Sequence, residues 1–109
     1  VQLLEHAFPG VMILELNGRL TVETEAELKE AVRRLLDVGW RHIVLDLARV
    51  PYIDSCGLGT MVQGYVSAQR LGGWLKLMNV NGRNRQLLTV TRLLTVFEEY
   101  EPTARAVGA

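Results

Sequence analysis

The chain has 109 residues, 49% of them hydrophobic and 22% charged, and its 12 basic and 12 acidic side chains cancel to a formal net charge of +0. That is the balance of a single globular domain spanning residues 1–109, with room for one core, and it argues against disorder. Zero net charge gives no electrostatic reason to expect nucleic acid or an anionic membrane as a partner.

In chain order, Gln2 to Phe8 and Val11 to Leu16 read as two strands joined at Pro9-Gly10, a turn pair suited to a hairpin-like reversal. The second strand ends at Asn17-Gly18. Thr24-Glu-Ala-Glu27 has the spacing of a capping box, after which Leu28, Ala31, Val32, Leu35 and Leu36 recur at helical intervals on one face. Gly39 suits the end of that helix. Ile43 to Leu47 is apolar and β-branched apart from Asp46, the pattern of a strand buried on both sides. Asp46 either bonds loop amides at the strand's carboxyl end or lies in the crevice where open α/β sheets place their sites. Leu58, Met61, Val62 and Tyr65 form a second amphipathic stripe, closed by Gly72-Gly73. Trp74 to Val80 reads as a fourth strand, and Asn84 to Leu94 as a third helix carried by Leu87, Leu88, Thr91 and Leu94. Val96 to Tyr100 is short and edge-like, and Thr103 to Val107 has the beginnings of a last helix. The order β-β-α-β-α-β-α-β predicts an α/β domain, a central mixed sheet with crossover connections and helices packed on it.

Apolar runs such as Val11-Met-Ile-Leu14 are strand-sized, far short of the roughly 20 residues of a membrane span. Val1 is not an initiator methionine and no signal-peptide pattern accompanies it, so a trimmed start and a cytoplasmic location are expected. Cys56, with only His6 and His42 beside it, offers neither an internal disulfide nor a metal-ligand spacing. A reducing compartment and no metal or other cofactor are expected. Between Ser55 and Phe97 there is no carboxylate, while Arg70, Lys76, Arg83, Arg85 and Arg92 fall there; Glu98, Glu99 and Glu101 follow. Packed side by side, these segments would give an acidic and a basic side; solvated helix faces are the plainer reading.

The chemistry concentrates between Ile43 and Gly59, where a strand leads through a short loop into Asp54-Ser55-Cys56-Gly57 and a helix. This order sets the Ser55 hydroxyl at a helix N-terminus, where unpaired N–H groups and the helix dipole favour negative charge, so a phosphate there is accommodated without unfolding. Asp54 and Ser55 are also favoured N-caps, and capping alone is the competing reading. Gly57-Leu-Gly59 lacks the Walker lysine and the third glycine of a nucleotide fingerprint. A nucleophile elbow is missing too, because Ile53 stands where its first glycine belongs. No residue is assigned a catalytic role, and an enzyme is not expected; His42 reads as a surface imidazole near enough in sequence to swing toward the loop.

Asp46-Leu47 followed by Tyr52-Ile53-Asp54-Ser55-Cys56-Gly57-Leu58-Gly59 resembles the Asp-Leu and Asp-Ser-Ser/Thr-Gly-Leu-Gly elements of the STAS family, the small domains named for sulfate transporters and anti-sigma factor antagonists. Leu16-Asn17-Gly18-Arg19-Leu20, Val80-Asn81 before Arg85-Gln86-Leu87-Leu88, and Val96-Phe97 extend the likeness over almost the whole chain. The resemblance to the antagonist branch implies a bacterial regulator of transcription by partner switching. In that branch the serine matching Ser55 is phosphorylated by an anti-sigma factor that is itself a serine kinase. The unphosphorylated antagonist binds the kinase and frees the sigma factor, and a PP2C-type phosphatase restores the cycle.

Three positions depart from the pattern. Thr21 stands where the antagonists carry an aspartate associated with productive kinase contact, and Arg92 where a helix-ending glycine is common. Cys56 replaces the second hydroxyl, which leaves Ser55 as the phosphoacceptor; the thiol is expected to be buried as a small hydrophobe, with redox sensing the alternative. Partner contacts are expected at Thr21, Asp54, Gly57, Leu58, Gly59, Thr60 and Gln63, with Gly64 beside them, as positions that share a face with Ser55. Gly57 and Gly59, lacking side chains, are expected to let a partner approach closely. The alternative is a non-catalytic STAS scaffold or transporter-accessory module, with Ser55 only a helix cap and room for a homo-oligomer.

Overall fold

A computed structural model describes residues 2–100. Two strands, β1 (Gln2–Phe8) and β2 (Val11–Asn17), form a hairpin around Pro9-Gly10, with Gly10 at φ 78°, the left-handed turn conformation that glycine adopts freely. Then come α1 (Glu25–Asp37), β3 (His42–Arg49), α2 (Ser55–Arg70), β4 (Trp74–Met78), α3 (Gly82–Val90) and a 3-10 turn over Leu93–Thr95. The sheet runs β1-β2-β3-β4, antiparallel between β1 and β2 and parallel thereafter, which is the mixed sheet the element order predicts. Parallel neighbours need long crossovers, and α1 and α2 supply them.

The alternation of side chains along the strands divides the core in two. Met12, Leu14 and Leu16 of β2, Ile43, Leu45 and Leu47 of β3, and Leu75 and Leu77 of β4 point to the helices. There they meet the full predicted stripe of α1, from Leu28 to Leu36, and Leu58, Met61 and Ala68 of α2. On the other face, Val11, Ile13, Val44 and Met78 gather under Tyr100, with Trp74 against them. β3 is therefore apolar on both faces, as its sequence requires.

Several expectations shift. The predicted capping box is not made, because the Thr24 hydroxyl turns back to accept the Thr21 N–H (2.9 Å) and donate to the Arg19 carbonyl (2.8 Å). β4 stops at Met78, where Asn79 takes φ 59°. α3 begins at Gly82 because Asn81 caps it, accepting the Asn84 N–H at 2.8 Å. It ends at Val90, because Arg92 adopts φ 62°, the left-handed conformation the missing glycine would have taken. The eighth element, expected as a strand over Val96–Tyr100, is reduced to a single parallel bridge of Glu99 to Leu77 on the edge of β4. The helix expected over Thr103 to Val107 lies outside the described residues.

The charge segregation of the sequence is partly undone in three dimensions. Arg85 pairs with Glu99 and Lys76 with Glu98, so the basic stretch meets the acidic residues that follow it, and no simple two-sided polarity results. Among the described residues no helix is long and apolar enough to cross a membrane, and no cluster of His, Cys, Asp and Glu could hold a metal ion.

Candidate functional site

The loop after β2 and the loop after β3 run side by side at the carboxyl end of the sheet. Gly18 N–H donates to the Arg49 carbonyl (3.0 Å), Leu20 N–H to Tyr52 (3.0 Å) and Asp54 N–H to Leu20 (3.1 Å). The parallel bridge Leu20 to Ile53 thus carries the β2–β3 pairing past the strand ends. Its consequence is that the chain around Thr21 and Val22 lies against the start of α2.

Asp54 caps α2: one carboxylate oxygen accepts the Gly57 N–H (2.9 Å) and the other the Val22 N–H (3.0 Å). The Gly57 amide holds the carboxyl below its ordinary range, against desolvation that raises it, and the Val22 and Cys56 amides add to the lowering. Ser55 is the first residue of the helix and is exposed; no hydrogen bond fixes its hydroxyl among the described residues. No other acidic side chain stands in the first turn. Capping and the free hydroxyl therefore belong to two different residues.

The two glycines at the start of α2 differ. Gly57 is buried, and a Cβ there would stand 2.4 Å from the Leu20 carbonyl oxygen, so its bareness serves an internal contact between loops and not the approach of a partner. Gly59 is exposed and meets nothing within 4 Å.

Of the remaining candidates, Thr21 is half-buried, its carbonyl accepting the Thr24 and Glu25 N–H groups at 2.9 and 2.7 Å. Gln63 is exposed one turn beyond Gly59. Leu58 and Thr60 are buried, Leu58 in the core and Thr60 through its hydroxyl's bond to the Glu25 carboxylate of α1, so they shape the surface from beneath. Gly64 is buried as well, a Cβ there lying 3.1 Å from Leu75 Cδ1. Cys56 is exposed beside Ser55, contrary to the buried thiol expected from its apolar character; the first turn of α2 faces solvent at that position.

Two neighbours in sequence stay away from Ser55 in their bonding. Asp46 accepts the Ala48 N–H and the Asn79 side-chain amide, both at 3.0 Å, which is the loop-bonding reading of that carboxylate. His42 sits at the opposite end of β3, stacked on Trp74 with ring centroids 4.7 Å apart.

The pattern in the sequence did not reveal that Leu20 and Val22 bring backbone groups to the site, nor the clamp made by Asn81 and Asn84. Both of these side-chain amides donate to the Val50 carbonyl, at 3.1 and 2.8 Å, and anchor α3 to the loop that leads to Asp54. A favoured cap residue at Asn81, just before a helical pattern, was the signal available for that end of α3.

Residues 5–108 match the family model described as STAS domain. The chain belongs to the STAS family. An anti-sigma F factor antagonist of Paenibacillus polymyxa is 29% identical to this STAS domain over 102 residues, covering 90% of the chain and 85% of the relative. An anti-sigma-B factor antagonist of Staphylococcus aureus is 34% identical over 86 residues, covering 78% and 70%. Among solved structures, TM1081 of Thermotoga maritima, described as a candidate anti-sigma factor antagonist, superposes with a TM-score of 0.87 at 28% identity over 95% of this chain and 90% of its own. The unphosphorylated form of SpoIIAA shares the fold, with a TM-score of 0.75 at 16% identity over 99% and 98%. A sulfate transporter family protein of Wolinella succinogenes also shares the STAS fold, at a lower TM-score of 0.67 and 25% identity over 84% and 75%.

Proposed function

We propose that this STAS domain is a non-catalytic anti-sigma factor antagonist that binds an anti-sigma factor serine kinase when Ser55 is unmodified and releases it when Ser55 is phosphorylated. The observation that carries the reading is the division of labour at the start of α2. Asp54 makes the cap, so the Ser55 hydroxyl is exposed and unneeded for the fold. A side chain whose only work was capping could not be modified without weakening the helix; here the cap survives the modification.

Phosphorylation adds about −1.5 to −2 charge units at Ser55. Within the domain the positive end of the helix offsets that charge, although the Gly57 N–H is already engaged by Asp54. Across an interface the phosphate would meet the partner's own carboxylates or apolar surface, together with the Asp54 carboxylate beside it. Binding fails while the fold persists. Thr21, Asp54, Gly59 and Gln63 are the contacts proposed around Ser55, with Gly57, Leu58 and Thr60 holding that surface in place. A PP2C-type phosphatase would return the domain to its binding form, and cytoplasmic partners would be its context. The relatives named as anti-sigma factor antagonists support this reading over a transporter accessory.

The deciding experiment is mass spectrometry of the protein after incubation with ATP and candidate anti-sigma kinases, with Ser55→Ala alongside. A single phosphate on Ser55, absent from the variant, is the expected result. A phosphate on another residue, or none from any candidate, would overturn the switch.

A further inference from the structure

We propose that this chain forms a twofold dimer by pairing β1 with β1 of a second copy, so that its four-stranded sheet continues across the contact. β1 pairs with β2 along all of Gln2–Phe8, and among the described residues its other side faces no strand. Every residue of β1 except Leu3 is exposed. The far edge of the sheet differs, because Leu77 of β4 donates its N–H to Glu98 (3.0 Å) and accepts that of Tyr100 (2.7 Å). Soluble proteins blunt open edges with lysine, proline, a bulge or an inward-pointing charge. Gln2–Phe8 contains neither lysine nor proline, its register with β2 is unbroken, and its one carboxylate, Glu5, is already paired with Arg34.

The side chains select one partner, a second copy in one register. Leu3, Glu5 and Ala7 share the helix face, where Glu5 pairs with Arg34 of α1. Leu4, His6 and Phe8 share the other, where His6 meets Glu15 at 3.1 Å. Leu4 and Phe8 are large apolar side chains left 40% and 39% exposed. In an antiparallel pairing centred on Glu5, two carboxylates stand directly opposite and Phe8 falls against Gln2. Centred on His6, each Leu4 lies opposite Phe8 of the second copy and each Glu5 opposite Ala7. Directly opposed like charges destabilise a sheet and apolar pairs stabilise it, and a register centred on Leu4 would set Leu3 against Glu5 and leave Phe8 without a partner, so the register centred on His6 is favoured.

The geometry also sets what the dimer presents. Ser55 follows the carboxyl end of β3, which runs parallel to β2 and antiparallel to β1. The twofold axis therefore sends the two Ser55 loops to opposite ends of the joined sheet, each open to its own partner. The contact is independent of the proposed switch and stands or falls separately from it.

An edge-to-edge contact of this length falls below the roughly 1,200 Å² of a standard interface, which makes a weak, reversible dimer the expectation. Sedimentation of the full chain from roughly 10 μM to about 1 mM, a range that brackets weak association, should show a monomer–dimer equilibrium. Leu4→Lys with Phe8→Lys should weaken it at least about tenfold, since edge lysines oppose strand pairing and tenfold needs only about 1.4 kcal/mol. In a Cys56→Ser background, His6→Cys should oxidise to a cross-linked dimer, since directly opposed residues lie about 4.5–5.5 Å apart. Glu5→Cys should not, its diagonal partner being roughly 7–8 Å away. A monomer throughout, a dimer indifferent to the lysines, or cross-linking by Glu5→Cys in place of His6→Cys would each overturn the proposal. The cysteine pair keeps the test decisive if the lysine variant does not fold.

Discussion

Asp54 reaches back across 32 positions to accept the Val22 N–H at 3.0 Å, and so fastens the loop before α1 to the start of α2. Its carboxyl is held below the ordinary 3.8 by the Gly57 amide and, further, by those of Val22 and Cys56. A depressed carboxyl contributes stability that is complete above its unfolded value and is lost as pH falls through the folded one. Asp54→Asn should therefore melt below the wild type at neutral pH, and the gap should close as pH drops below about 3.8. Thermal unfolding followed by circular dichroism across that range is the measurement; a gap that does not change with pH would show that the charge is not what matters.

Ser55→Asp should leave the melting temperature nearly unchanged, because the cap belongs to Asp54. Under the proposed switch, binding to an anti-sigma kinase should weaken about a thousandfold, equivalent to about 4 kcal/mol. Titration calorimetry with wild type and variant measures this directly, and equal affinities would remove Ser55 from the interface.

Gly57→Ala and Gly59→Ala, two residues apart, should have opposite effects. At Gly57 the new methyl meets the Leu20 carbonyl oxygen at 2.4 Å, and backbone cannot yield as a flexible side-chain end would. A loss of about 1–3 kcal/mol is expected from such overpacking. Gly59 has open space around it, and alanine in a helix gains about 0.5–1 kcal/mol over glycine. Urea unfolding of both variants checks the stabilities. A fall in kinase affinity for Gly59→Ala, without loss of stability, would place a partner against that spot.

Arg92→Gly should stabilise the protein, since Arg92 holds φ 62° after the end of α3 and a side chain in that conformation costs roughly 1–2 kcal/mol. A gain of about 1 kcal/mol in urea unfolding is expected, part of the relief being offset by the added freedom of glycine in the unfolded chain. No gain would mean that the side chain makes compensating contacts.

Most of this architecture was legible because periodicity is local. The stripe from Leu28 to Leu36 and the two-sided β3 follow from spacing alone, and both are buried as their patterns require. What escaped depended on contacts between distant segments. The Thr24 to Glu27 spacing suggested a capping box, yet Thr24 is drawn to the backbone of Arg19 and Thr21, which no spacing rule anticipates. Gly57 looked open for the same reason: only the fold brings the Leu20 carbonyl against it. Cys56 belongs to the apolar class, but its position on the helix, and not its type, decides that it faces water.

The bridge of Glu99 to Leu77 occupies one margin of the sheet. A sheet with both margins open can recruit copies on either side and propagate into a fibre. Here, among the described residues, one margin is bonded at Leu77 by the chain's own Glu98 and Tyr100. In the proposed dimer, strand addition at β1 uses up the other, and two joined copies present outward only the margins so bonded. Such an assembly would stop at its first step, which would let a protein with an open strand associate without the hazard of unlimited growth.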